Sequence, residues 1–212
     1  MIPTTKKKTT MIAALVSTCA AALLAAPSLR AFGDGAEVGK AAPAFELVDQ
    51  NGKSHKLSDF AGKTVVLEWF NPDCPFIVGT YEKGLASSTI EALKKDGAVF
   101  IAINSTGNAP LEEVRKKSVD FLAKNKIDHP VLFDHDGAVG RAYGAKTTPH
   151  VYVIDGKGTL RYHGAFSNDP KFAGNGAKNY VLEACKAVKA GGEVKPDYEK
   201  PWGCSVKYKT SN

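Results

Sequence analysis

The chain is poor in cysteine, with four among 212 residues, and no two of them form a Cys-x-x-Cys pair. Its five histidines form no His-x-x-His. Local zinc-ligand spacing is therefore missing, and one Cys beside one His is an incomplete ligand set, so neither a metal nor a cofactor is expected. Internal repeats and low-complexity segments are lacking beyond the first thirty or so residues. Acid is absent from residues 1–31, which hold Lys6, Lys7, Lys8 and Arg30. Those four charges are most of the net +6 and leave +2 for the rest. Basicity is thus a property of the leader, and a nucleic-acid surface is not expected.

The leader itself has a secretory pattern. Lys6–Lys8 precede the apolar run Met11–Ala26, which is short for a membrane span, and Leu29-Arg30-Ala31 is a tolerable cleavage signal. We expect a signal peptide over 1–31, export to the periplasm or beyond, and membrane contact only through an uncleaved leader. Val16-Ser17-Thr18-Cys19 is a poor lipoprotein box because of Thr18, so Cys19 goes with the leader. Three cysteines then remain: Cys74, Cys185 and Cys204. Export permits a disulfide, and the odd count leaves one thiol over.

The most informative stretch is Val65–Ile77, VVLEWFNPDCPFI. Val65–Phe70 has strand character, Asn71-Pro72 breaks it, and Pro75 suits the first turn of a helix. Cys74 then falls at the helix N-cap, facing unpaired backbone N–H groups and the positive end of the dipole. Both favour the thiolate, the nucleophilic form. A buried structural cysteine is the alternative, but a Pro-x-Cys-Pro joint presents a nucleophile better than it packs a core.

Around it the chain alternates. Phe45–Val48 and Ser54–Leu57 flank Asn51-Gly52, a hairpin signal. Ser58 is expected to cap a short turn over Ser58–Phe60. Tyr81–Asp96 reads as the continuing helix, Ala98–Ile103 as a strand buried on both faces, and Pro110-Leu111-Glu112-Glu113 as a helix start. Leu111, Val114, Val119, Phe121 and Leu122 are the expected apolar face of that helix. Val131–Phe133 is a strand, Val139–Tyr143 a helical turn stopped by Gly144, Val151–Ile154 and Leu160–His163 a hairpin, and Asn175–Lys189 the last helix. The order predicts an α/β fold with a mixed sheet flanked by helices.

Trp69–Ile77 resembles the active-site turn of thioredoxins. Cys74 matches the attacking cysteine, and Ile77 stands where the second should be. Glu68 interrupts the apolar strand and matches the buried acid that serves those cysteines as a proton donor and acceptor; a side chain that simply reaches solvent is the alternative. Gly144–His150, GAKTTPH, resembles the loop whose proline is cis. On that likeness Pro149 is the cis-proline, Thr148 offers backbone to an extended substrate, and Pro75 and Phe76 border the same docking surface. The thioredoxin-like domain would span 38–190, with an N-terminal β-hairpin extension and a tail over 191–212.

The hairpin and the LSDFAGK segment also resemble peroxiredoxins. Their peroxide-activating threonine is replaced by Asn71, and Pro149 falls near the place of their arginine. As a set, Cys74-Pro75-Phe76, Lys146–His150, Asn179-Tyr180-Val181 and Gly203–Tyr208 are similar to exported single-cysteine redoxins of the AhpC/TSA type. That likeness implies an oxidoreductase acting on protein or small-molecule thiols and disulfides, with Cys74 attacking. A thiol peroxidase of antioxidant function and a non-enzymatic binding or metallochaperone module using Cys74, His150 and the tail are the alternatives. About fifteen residues from the last helix to Cys204 reach roughly 45–50 Å, against a domain radius of about 15 Å, so the tail can cross the active face. Cys204 is therefore a candidate resolving thiol for Cys74, with a static Cys185–Cys204 bridge as the competing pairing. His55, His129, His135 and His163 read as surface or packing residues.

Overall fold

The computed structural model describes Met1, residues 35–174 and residues 177–210. Apart from Met1, the expected leader lies outside them. An eight-stranded mixed sheet forms the centre, in the order β2-β1-β5-β4-β3-β7-β8-β9. Its strands are β1 (Glu46–Asp49), β2 (Ser54–Lys56), β3 (Val65–Trp69), β4 (Val99–Asn104), β5 (Val131–Phe133), β7 (Val151–Ile154), β8 (Leu160–Gly164) and β9 (Tyr198–Glu199). A separate pair is made by β6 (Thr147–Thr148) and β10 (Cys204–Ser205). The helices are α1 (Pro75–Glu82), α2 (Leu85–Lys95), α3 (Leu111–Lys124), α4 (Ala138–Tyr143) and α5 (Tyr180–Lys189).

β3 lies parallel to β4 and antiparallel to β7. All five of its residues are buried, as expected of an apolar, β-branched run with neighbours on both edges. Period-two alternation sends its side chains to two cores. Val66 and Phe70 join Cys74, Ile77 and Tyr81 on one face, under α1, α2, α3 and α5. Val65, Leu67 and Trp69 join Ile101, Tyr143 and Tyr152 on the other. Glu68 sits between Val66 and Phe70 in the alternation and so belongs to the Cys74 face.

Four expectations are corrected. The helix after Cys74 is two helices, because Gly84 adopts a left-handed φ of 81° that helical residues with a side chain rarely take. Ser58 does not cap the 3-10 turn Leu57–Phe60; the Asp59 carboxylate accepts instead from the Lys56 backbone N–H at 2.8 Å. Val119 leaves the apolar face of α3 and is 44% exposed, while Ser118 is buried in its place, bonded to the Val114 carbonyl. The last helix begins at Tyr180 and not at Asn175. Its start is fixed by Asn179, whose Oδ1 accepts from Leu182 N while its Nδ2 donates to Thr89 Oγ1.

The tail contributes more order than its composition suggests. β9 adds a parallel edge strand to β8, and β10 then crosses to β6.

Candidate active site

The site is assembled where β3 ends. The chain leaves the sheet at Phe70, turns through Asn71-Pro72-Asp73 with Asn71 Oδ1 accepting from Asp73 N at 2.9 Å, and enters α1 at Pro75. Cys74 is the N-cap, with extended backbone (φ −83°, ψ 120°). Across from it, the Thr148–Pro149 peptide is cis, as the sequence led us to expect. Cys74 Sγ lies 3.0 Å from the Thr148 carbonyl oxygen.

The second sulfur comes from the tail. β10 runs antiparallel to β6 with Cys204 opposite Thr148, and this register sets Cys204 Sγ 2.8 Å from Cys74 Sγ. No described cysteine is in a disulfide. Cys185 is buried within α5, where burial pushes its thiol up to about 12, and the sulfur set beside Cys204 is that of Cys74. A thiol that hard to ionise is a poor nucleophile.

The two neighbouring sulfurs differ in acidity. Burial alone would raise Cys74, but hydrogen bonds from Cys204, Thr148 and the backbone at Ile77 and Cys204 outweigh it and hold Cys74 below the ordinary thiol range. Burial and the bond to Cys74 push Cys204 up to about 11. Of the two, Cys74 ionises first while Cys204 keeps its proton and donates to it. When Cys74 is neutral, its S–H has the Thr148 carbonyl to donate to.

Cys74 is 2% exposed. Cys74 and Cys204 border a cleft of about 350 Å³ between the start of α1 and α3, together with Asn104, Asn108, Lys117 and Lys207. Lys117 is paired with Asp73 and Glu113. Of the residues expected to border substrate, Thr148 is buried and pairs with the tail, while Pro75 is exposed at the helix start. Phe76 packs against Trp202 of the tail, ring centroids 5.9 Å apart. Trp202 and Gly203 were not singled out as site residues in the sequence; a lone aromatic beside a glycine was the available signal.

Glu68 is fully buried and its carboxyl is pushed up to about 8 by burial, with a bond to Tyr81 opposing the shift. It belongs to a buried chain of three groups. The Tyr81 hydroxyl lies 2.8 Å from Glu68 Oε2 and 3.0 Å from His129 Nε2, and His129 Nδ1 faces the Pro130 carbonyl at 3.2 Å. When Glu68 is ionised, the Tyr81 hydroxyl donates to it. Once Glu68 holds a proton, that hydroxyl can turn to His129 Nε2, with His129 Nδ1–H on the Pro130 carbonyl. Burial keeps His129 neutral down to about 4. Glu68 Oε1 has no hydrogen-bond partner among the described residues. Among the described residues, no hydrogen bond joins this chain of groups to Cys74.

His150 does not face the cysteines with a charge. It is buried, lowered to about 3 by burial and by the neighbouring His163 and Lys146, and bonded to Tyr152 Oη, Lys146 N and His163. Among the described residues, no group of three His, Cys, Asp or Glu side chains is placed to hold a metal ion.

A mixed sheet whose central strand delivers a cysteine to a helix start, opposite a cis-proline loop, is a thioredoxin-like fold. The AhpC/TSA family model matches residues 38–163, and the chain belongs to that family. It is similar to the thiol-disulfide oxidoreductase ResA of Geobacillus thermodenitrificans (strain NG80-2), at 28% identity over 124 residues, 58% of this chain and 67% of that protein. Chloroplastic peroxiredoxin Q of Triticum aestivum is 31% identical over 157 residues, 66% of this chain and 67% of that one. The crystal structure of a hypothetical protein from Sinorhizobium meliloti 1021 superposes with a TM-score of 0.72 at 26% identity, covering 82% of this chain and 96% of the other.

Proposed function

We propose that this protein is an exported thiol–disulfide oxidoreductase that cycles between a dithiol and a Cys74–Cys204 disulfide. The observation that carries this reading is the pair of free sulfurs 2.8 Å apart with opposite shifts in acidity. In the reducing direction, the Cys74 thiolate attacks one sulfur of a disulfide RSSR. That S–S bond breaks, Cys74–S–SR forms, and the first RS⁻ leaves and takes up a proton. Cys204 gives up its proton and attacks Cys74 Sγ, the Cys74–SR bond breaks, and the second RS⁻ is released and protonated. Two protein thiols are oxidised and one disulfide is reduced to two thiols. The opposite direction is the same path reversed.

Glu68 is assigned the part of a buried proton store on the Cys74 face of the sheet, neutral below about pH 8. Export to the periplasm or beyond rests on the lysine-led apolar leader, and an oxidising compartment suits a protein that must hold its disulfide form. A peroxidase reading has weaker support. Asn71 stands where a peroxide-activating hydroxyl would be and spends its oxygen on Asp73 N, and Pro149 offers no guanidinium.

Peptide mapping of mildly oxidised protein under non-reducing conditions tests the cycle. Cys74 and Cys204 are expected in one cross-linked peptide pair, with Cys185 free to be alkylated. A Cys185–Cys204 cross-link, or cross-links between molecules only, would contradict it.

A further inference from the structure

The edge of β6 is the strand edge beside Cys74, with the Thr148 carbonyl oxygen 3.0 Å from its sulfur. A polypeptide bringing a disulfide to Cys74 would naturally pair with such an edge, since extended chains dock by adding a strand. That edge is already taken by β10. The tail is pinned on both sides of Cys204. Before it, Trp202 Nε1 donates to the Ser167 carbonyl at 2.7 Å and the indole packs on Phe76 and Phe172. Beyond it, Val206 N donates to Lys146 O at 3.1 Å, the Lys207 carbonyl accepts from Gly107 N at 2.8 Å, and Tyr208 Oη donates to Ala145 O at 2.8 Å. The Arg141 guanidinium lies over the Tyr208 ring, 4.8 Å from its centroid.

Gly203 shows how closely the tail is seated. Its φ of 132° suits glycine, and a Cβ there would collide with the Thr148 carbonyl oxygen. Seated so, the tail leaves a cleft of about 350 Å³ bordered by Cys74, itself 2% exposed, and that size takes a small molecule but not a folded chain.

We propose that the tail segment Trp202–Tyr208 reserves the β6 edge, so that Cys74 exchanges with low-molecular-weight disulfides entering the cleft and discriminates against polypeptide disulfides. This rests on the thiol–disulfide reading above and adds the substrate class. The tail thereby does two things with one segment: it supplies the resolving sulfur and fills the place a protein substrate would need.

The test is a single-turnover reaction of fully reduced protein with bis(2-hydroxyethyl) disulfide and, separately, with insulin. Consumption of the Cys74 thiol is read by quenching with an alkylating agent and mass spectrometry, which reports attack whether or not Cys204 has closed the ring. Wild type is expected to react with the small disulfide and only slowly with insulin. In Gly203→Ala the added methyl should unseat the tail and raise the insulin rate relative to the small-disulfide rate by about tenfold or more. Tyr208→Ala, which removes the far anchor, should move the ratio the same way and carries the test if the glycine variant fails to fold. Comparable wild-type rates for both probes, or a ratio unmoved by unseating the tail, would overturn the inference and leave the oxidoreductase reading standing. If neither probe consumes Cys74, that reading falls and this inference with it.

Discussion

Cys204→Ser protein is expected to stop after half a cycle, carrying its substrate as a mixed disulfide on Cys74. The variant keeps the tail strand and its pairing with Thr147–Thr148, which is made by backbone. It also keeps a hydrogen-bond donor near Cys74. What it loses is the attacking sulfur 2.8 Å away. Release then depends on an external thiol, and replacing a well-placed internal nucleophile by a dilute one should cut turnover by at least about 10³-fold. Intact-protein mass spectrometry would show the adduct, and proteolysis would place it on Cys74. Unchanged turnover, with no adduct, would show that Cys204 is not the resolving thiol. Cys74→Ser, by contrast, should give neither adduct nor turnover.

Glu68→Gln is expected to remove a large pH dependence of stability. The Glu68 carboxyl is raised from an ordinary 4.5 to about 8 by burial. Below pH 4.5 folded and unfolded chains both hold the proton. Between 4.5 and 8 the unfolded chain releases it and the folded chain does not, so stability falls as pH rises through that window. Above 8 the loss is complete, on the order of 5 kcal/mol. His129, held neutral down to about 4, adds a slope of the opposite sign below pH 6.5 in both proteins, so the difference between wild type and variant isolates Glu68. Urea midpoints at pH 5 and pH 8.5 measure it. Wild type should lose several kcal/mol relative to Glu68→Gln between the two. A constant difference would mean that the carboxyl is ionised in the fold throughout.

These effects were unequally legible in the sequence. Cys74 was readable because its signal is local: a β-branched strand, a proline break and a proline at the helix start all fall within Val65–Pro75. Asn51-Gly52 and Thr148-Pro149 were readable for the same reason. The split of the first helix was not, because a single glycine inside a helical pattern is tolerated at a cost of about 1 kcal/mol and does not by itself mark a break. Val119 follows the apolar period of α3, yet the core accepts Ser118 there because its hydroxyl bonds back to the Val114 carbonyl. Chain length alone showed that Cys204 could reach Cys74. The two-residue strand that holds it there has too short a pattern to see, and its register depends on a loop more than fifty residues earlier. The grouping of Glu68, Tyr81 and His129 was hidden most completely, since a strand, a helix and the loop before β5 must pack before their polar atoms meet.

The most direct measurement of the central claim is the alkylation rate of each thiol in the reduced protein as a function of pH, resolved by peptide. Cys74 should label with a midpoint below that of a free thiol, while Cys204 remains protected until far more alkaline pH and Cys185 throughout. Simultaneous labelling of Cys74 and Cys204 at an ordinary thiol midpoint, or labelling of Cys204 first, would contradict the account.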